Sequence, residues 1–316
     1  MNIVFLDRDS FARGIEFRAA RLKGGAWRDY PQTPPALVLE RARDAEVVIT
    51  NKVRLPGEIL AALPGLRLVA AAATGVDNID IETARARGIG VCNVRGYAQR
   101  SVPEHVFALL FALRRNLVAY HQAARDGTWS HSDFFCLHTY PIEDLAGSTL
   151  GVIGGGTLGR SVAQLGEALG LRVLIAEQRG AALRPGRVAF EDVLRSSDAV
   201  SLHLPLTHAT RHLIGTAELA IMKPGAVLIN TARGGLVDED ALLAALRGGR
   251  LAGAAMDVLA QEPPPVDHPL IVADLPNLII TPHVAWASRQ AQQKLADEVI
   301  ENIAAFLRGE LRNRVV

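Results

Sequence analysis

The stretch Gly154-Gly155-Gly156-Thr157-Leu158-Gly159 is a G-x-G-x-x-G, and its surroundings point to dinucleotide chemistry. A strand-like run precedes it and a helix-like run follows. Gly154 allows a tight turn, Gly156 lets a pyrophosphate approach the backbone, and Gly159 lets the helix lie close on the strand. The phosphates then meet free N–H groups at a helix N-terminus, where the dipole favours anions. Glu177 ends the next strand, 18 residues after Gly159, where a carboxylate accepts bonds from the adenosine ribose hydroxyls. It would repel a 2′-phosphate, which favours NAD. Arg179, two residues on, could meet such a phosphate and leaves NADP open.

A nicotinamide enzyme must also hold an anionic substrate, move a proton and tune the group that moves it. Suitable residues follow successive strands in the second half of the chain. Arg233 comes just after 226–230, Asp257 ends the run 251–258 with Glu262 five residues later, and His283 closes "NLIITPH". In open α/β sheets, ligands bind at such strand ends. A lone histidine decides nothing, because His serves buried structure as readily as proton transfer.

These residues need a frame, and the rest of the chain reads as βα units. The first hundred residues hold strands at 2–6, 46–50, 67–71 and 89–93, with helical stretches at 35–43 and 79–87. A second series has strands at 148–154, 171–177, 198–204, 226–230, 251–258 and 277–281, matching a doubly wound nucleotide-binding fold. Between them, 101–127 reads as one helix with Ser101 able to cap it. Its apolar residues fill much of the circumference, so it is expected at a subunit interface. An irregular loop follows, carrying Trp129, Phe134 and Phe135. The amphipathic segment 288–310 is expected to return to the first series. The fold class is therefore α/β with two domains, each a parallel sheet with flanking helices. The NAD(P)-binding Rossmann domain (100–285) is inserted into a flavodoxin-like substrate domain (1–99 with 286–316).

With 49% hydrophobic and 21% charged residues over 316 positions, a sizeable core is available. The net charge of +1 offers no footprint for nucleic acid or an anionic membrane. Two cysteines in unrelated contexts, Cys92 and Cys136, fit a reducing cytoplasm. No targeting segment or apolar stretch of spanning length is evident. No histidine pair has zinc-ligand spacing, so no metal is expected, and a G-x-S-x-G nucleophile elbow is missing.

"NTARGGLVDEDALLAAL", "AGAAMDVLAQEPP" and "NLIITPHVA", together with the glycine loop, resemble the D-isomer-specific 2-hydroxyacid dehydrogenase family. "AAATGVDNIDI" (71–81) and "SVPEH" (101–105) extend the resemblance over nearly the whole chain. "TNKV" (50–53) and "PHVAWAS" are most similar to its glycerate dehydrogenase/hydroxypyruvate reductase branch. The resemblance implies that Arg233 binds the substrate carboxylate and polarises the 2-oxo group, His283 protonates the incipient alkoxide, and Glu262 favours the charged imidazole. It implies Thr157, Leu158, Leu204, Thr231 and Ala232 beside the cofactor, with Asp257 orienting the nicotinamide carboxamide. Backbone N–H groups around Thr74 and Gly75 would receive the carboxylate from the opposite domain, with Lys52 and Trp286 also reaching the substrate. The implied activity is NAD(P)-linked reduction of hydroxypyruvate or glyoxylate to the D-2-hydroxy acid, by a homodimer joined through 101–127 and the cofactor domain. Another D-2-hydroxy acid, such as phosphoglycerate or D-lactate, and a non-catalytic NAD-sensing protein remain the alternatives. The chain departs from the commoner pattern at Gly155, expected to loosen the turn, at Glu177 in place of Asp, and at Leu259, where an aromatic is frequent.

Overall fold

Strand segments such as VVIT (47–50), LVAA (68–71) and VLIN (227–230) are buried at every position. Strands apolar on both faces need helices on both sides, which parallel βα connections supply. The pairings between strands are accordingly parallel, and one isolated bridge, Cys92 with Arg314, is antiparallel. The computed structural model describes residues 1–19, 22 and 25–316. They divide into two units, 1–97 with 287–316 and 98–286.

In the first unit, β1 (Asn2–Phe5), β2 (Ala26–Asp29), α1 (Val38–Ala42), β3 (Val47–Thr50), α2 (Gly57–Ala61), β4 (Leu68–Ala71), α3 (Ile81–Ala86) and β5 (Gly90–Cys92) follow in order. The sheet order is β2-β1-β3-β4-β5, the flavodoxin-like doubly wound order. Strand β2 was not among the expected strands. Its sequence, AWRD, carries no β-branched residue, and it pairs only with β1 at an exposed edge, so pairing rather than local preference makes it a strand.

The second unit contains α4 (Ser101–Arg114), α5 (Leu117–Arg125), β6 (Thr149–Ile153), α6 (Thr157–Ala168), β7 (Arg172–Ile175), α7 (Phe190–Ser196) and β8 (Ala199–Leu202). It continues through α8 (Thr216–Ile221), β9 (Val227–Asn230), α9 (Glu239–Arg247), β10 (Gly253–Met256), α10 (Pro269–Val272) and β11 (Leu278–Ile280). The order β11-β10-β9-β8-β6-β7 is extended beyond β7 by one parallel bridge, Ala176 with Val188. That bridge stands where the outermost strand of the dinucleotide-binding order would lie. The chain reverses direction across the sheet between β6 and β8, and ligands favour the crevice at such a point.

The stretch 101–127 is two helices, because Asn116 adopts a left-handed conformation (φ 49°) that ends α4 and starts α5. Ser101 does not cap. Arg100 holds the cap position, and the Ser101 hydroxyl donates to the Ala285 carbonyl (2.6 Å). Most apolar residues of α4 are buried inside its own unit, which packs α4 against α6, β9 and β10, and this corrects the expectation that the helix turns its apolar surface to a second subunit; Phe111 is left exposed. The chain then returns to the first unit as α11 (Arg289–Leu307), capped by Ser288 and packed on β4 through a buried row that includes Leu295, Val299 and Ile303. Among the described residues, no helix is long and apolar enough to cross a membrane.

Candidate active site

Strands β9, β10 and β11 are neighbours in register, Asn230 opposite Met256 and Met256 opposite Ile280. Side chains placed just beyond their C-terminal ends must therefore converge. Arg233 lies three residues past β9, Asp257 directly after β10, and His283 three past β11. Gly234 brings the first two loops into contact, since a Cβ there would stand 1.9 Å from the Leu259 carbonyl carbon. Only glycine permits the turn carrying Arg233 to lie on the backbone that leads to Glu262.

His283 Nδ1 lies 2.6 Å from Glu262 Oε2, while Glu262 Oε1 accepts the Leu259 N–H (3.0 Å). With both oxygens engaged, the carboxylate keeps the proton on Nδ1 and leaves Nε2 as the outward-facing nitrogen. Replacing Glu262 by glutamine removes the charge beside the ring and keeps the shape. The expected result is a fall of about tenfold in reductive kcat at neutral pH, because the ring loses the carboxylate that fixes its orientation and steadies its positive form during proton transfer. Steady-state kinetics on Glu262→Gln check this, and a loss of NADH binding or of folded protein in place of the fall in kcat would show a merely structural role.

His283 itself is held in a left-handed conformation (φ 55°), which costs a non-glycine residue roughly 1–3 kcal/mol. Asp257, 1% exposed, offsets that cost. Its Oδ1 accepts the Thr281 hydroxyl (2.6 Å) and the Val284 N–H (2.9 Å), and Oδ2 accepts the Ala285 N–H (2.9 Å). Its backbone carbonyl takes the His283 N–H (2.8 Å). Bonds to a buried charge are worth about 1.5–3 kcal/mol each, so the loop is held firmly. From α4, His105 Nε2 joins the same group, 3.0 Å from Thr281 Oγ1 and 3.5 Å from Asp257 Oδ1. Asp257 thus works on the loop that carries His283, a role invisible in the sequence, and His105 joins it. At the end of β8, the imidazole of His203 bonds to Ser201 and is pushed down to about 4 by burial, so it stays neutral.

The glycine loop sits where β6 meets β8. Gly154 (φ +105°) approaches the β8 end so closely that a Cβ would stand 2.3 Å from the His203 carbonyl oxygen, beside Leu204. A Cβ at Gly159 would stand 1.9 Å from the Gly154 carbonyl oxygen, which is why α6 can lie on the loop. At Gly156 a Cβ would meet nothing within 4 Å, and α6 begins there with no side-chain cap. Its first amides, at Thr157 and Leu158, suit a pyrophosphate. Near the end of β9, the Thr231 hydroxyl is buried without a hydrogen-bond partner, next to Ala232, as fits a site for a polar cofactor group.

Glu177 is 4% exposed, but its carboxylate is occupied. Arg184 donates to it twice, Nη2 to Oε1 (2.6 Å) and Nε to Oε2 (2.7 Å), and holds its pKa down at about 2. Arg179, the cation nearest in sequence, turns instead to Glu191 (2.9 Å) and Glu218 (2.7 Å). Gly155 does not loosen the turn through a left-handed conformation. It leaves space for the Arg187 guanidinium, which a Cβ would meet at 1.9 Å.

In the first unit, Lys52 and Thr74 follow β3 and β4 at the same end of the sheet. Asp7, just past β1 and buried, accepts the backbone N–H groups of Asn51 (2.9 Å), Lys52 (2.6 Å) and Val53 (3.1 Å), and so shapes the Lys52 loop. The Thr74 hydroxyl is committed to the Val94 carbonyl (2.7 Å), and the Thr74 carbonyl accepts Asn93 Nδ2 (2.7 Å). Trp286, half-buried, ends the second unit. A charged residue directly after the first strand was the signal that could have pointed to Asp7.

Residues 107–285 match the family described as D-isomer specific 2-hydroxyacid dehydrogenase, NAD binding domain. The chain is 49% identical to a glycerate dehydrogenase of Methylorubrum extorquens, over 99% of this chain and 98% of that protein. It is 37% identical to a glyoxylate reductase of Aeropyrum pernix, over 99% and 95%. Among solved structures, the TT0316 protein of Thermus thermophilus aligns over 100% of both chains, with a TM-score of 0.89 and 36% identity.

Proposed function

The chain belongs to the D-isomer-specific 2-hydroxyacid dehydrogenase family, and from that premise we propose that it reduces hydroxypyruvate or glyoxylate to the D-2-hydroxy acid. It is an NAD-dependent enzyme that acts on a small 2-oxo acid. The observation that carries the proposal is the 2.6 Å contact of His283 with Glu262, on a loop beside the turn of Arg233.

The bound nicotinamide supplies the hydride. Arg233 binds the substrate carboxylate with its planar fork and draws charge from the 2-oxo group. His283 Nε2 gives its proton to the carbonyl oxygen as negative charge builds there, and takes it back in the oxidative direction. Glu262 steadies the imidazolium through Nδ1, and Asp257 fixes the loop. Gly154, Gly156, Gly159, Thr157, Leu158, Glu177, Leu204, Thr231 and Ala232 are assigned to the cofactor. Lys52, Thr74, Gly75 and Trp286 are proposed to complete substrate recognition. The second unit is then the cofactor domain and the first the substrate domain, in a cytoplasmic homodimer. Exposed Leu117, Val118, Phe134 and Phe135 supply apolar surface for that dimer, rather than the buried face of α4.

A steady-state panel of hydroxypyruvate, glyoxylate, pyruvate and phosphohydroxypyruvate tests the reading. The first two are expected to give the highest kcat/KM. Preference for pyruvate or the phosphorylated acid would replace the substrate, and no turnover of any would sink the enzymatic reading.

A further inference from the structure

We propose that Glu239 is a positioning residue for proton transfer: it ties both ends of the loop 260–268 and so holds Glu262 against His283. The inference rests on the proton-transfer reading of that pair and deepens it.

Glu239 is the first residue of α9, but it does not cap the helix. Asp238 does, accepting the Ala241 N–H (3.0 Å). The Glu239 carboxylate is turned to another segment. Oε1 accepts the Ala260 N–H (2.8 Å), and Oε2 lies 3.3 Å from His268 Nε2. His268 in turn opens α10, where its Nδ1 accepts the Leu270 N–H (3.3 Å). An accepting Nδ1 places the ring proton on Nε2, so the neutral imidazole donates to Glu239. Both side chains are shielded, His268 10% and Glu239 17% exposed. One carboxylate thus grips the start of the loop with one oxygen and its end with the other.

The loop needs such a grip, because no side chain from 261 to 267 is buried. Packing gives it little support, while Pro263, Pro264 and Pro265 restrict its backbone, so holding the two ends directs the course between them. Leu259, next to the Ala260 tie, is buried, gives its N–H to Glu262 Oε1 (3.0 Å) and lies against Gly234 of the Arg233 turn. Glu239 therefore anchors the backbone on which both the Glu262 carboxylate and the Arg233 turn rest. The 2.6 Å contact of Glu262 with His283 tolerates little drift. A displacement of about 1 Å caused by a change far from the chemistry can cost about a hundredfold in rate.

A double-mutant cycle in the full chain separates positioning from simple support. Glu239→Ala is expected to lower single-turnover reduction of the best 2-oxo acid about tenfold, with NADH affinity changed by no more than about twofold. Glu239→Gln, whose amide oxygen still accepts the Ala260 N–H, should recover all but about threefold. In a Glu262→Ala background, itself slower by at least about tenfold, Glu239→Ala should add less than about twofold. An equal loss in both backgrounds, or none in either, overturns the proposal. Should Glu239→Ala not fold, Glu239→Asp, which keeps the charge but is one methylene short, takes its place under the same criteria. Hydrogen exchange of the unliganded protein gives a reading independent of turnover. The same variant should speed exchange in 259–262 by at least about tenfold and leave β6 and β8 unchanged. Unchanged exchange in 259–262 also overturns the proposal. If Glu262→Ala leaves the rate intact, the reading of Glu262 falls and this proposal with it. The expected Glu262→Ala loss with an additive Glu239→Ala loss removes only the proposal.

Discussion

Replacing His283 by glutamine is expected to lower kcat for 2-oxo acid reduction by about 10³-fold, with NADH affinity changed by no more than about twofold. Glutamine keeps a donor near the substrate oxygen but has no proton to give, so positioning survives and chemistry does not. The loop should persist, because Asp257 holds the Thr281 hydroxyl and the amides of Val284 and Ala285, not the imidazole ring. The left-handed backbone at position 283 is a separate source of loss. His283→Asn controls for it, since asparagine tolerates that conformation better than most residues. Both variants are expected to fail alike. His203 cannot take over, because burial keeps it neutral. Turnover within about tenfold of the unaltered enzyme in either variant would remove His283 from the proton-transfer role. Stopped-flow reduction with saturating NADH measures the step directly.

Arg233→Gln should lower kcat/KM by about 10³-fold, since a two-point contact with a carboxylate is worth roughly 3–4 kcal/mol in a shielded site. Both parameters should suffer, because the guanidinium holds the carboxylate in the ground state and draws charge from the carbonyl as the reaction proceeds. Arg233→Lys keeps the charge and loses the fork, so it should recover KM more than kcat. The backbone at this position rests on other bonds, Asn230 Nδ2 to the Arg233 carbonyl (2.8 Å) and Gly234 against Leu259, so the turn should survive the change. Glycolaldehyde, which lacks the carboxylate, provides the discriminating readout. Unaltered enzyme and Arg233→Gln should differ far less on it than on hydroxypyruvate, the remaining loss being that of carbonyl polarisation alone. An equal loss on glycolaldehyde and on hydroxypyruvate would show that Arg233 does not act through the substrate carboxylate.

Much of this organisation can be read from residue order. Gly154, Gly156 and Gly159 sit between an aliphatic run and an Ala-rich one, and that local pattern dictates a strand, a tight turn and a helix. Arg233, Asp257 and His283 stand at the ends of such runs, and parallel pairing carries them to one edge of one sheet. Both facts depend on contacts between near neighbours in sequence or on a repeating βα rule.

Other features came only from contacts over distance. AWRD becomes β2 because β1 offers it an edge, and 101–127 breaks at Asn116 without a proline or glycine to announce it. Asp257 reads as a cofactor contact until its oxygens are seen to hold residues 281–285, and Asp7 gains its purpose from the amides of 51–53. Arg179 stands two residues from Glu177, yet Arg184 is the partner. A side-chain pair depends on where a loop folds back and which competing charges lie nearby, here Glu191 and Glu218 for Arg179. Fold class and catalytic residue types follow from short-range pattern, whereas the partners of each charge are selected by three-dimensional competition that no spacing along the chain encodes.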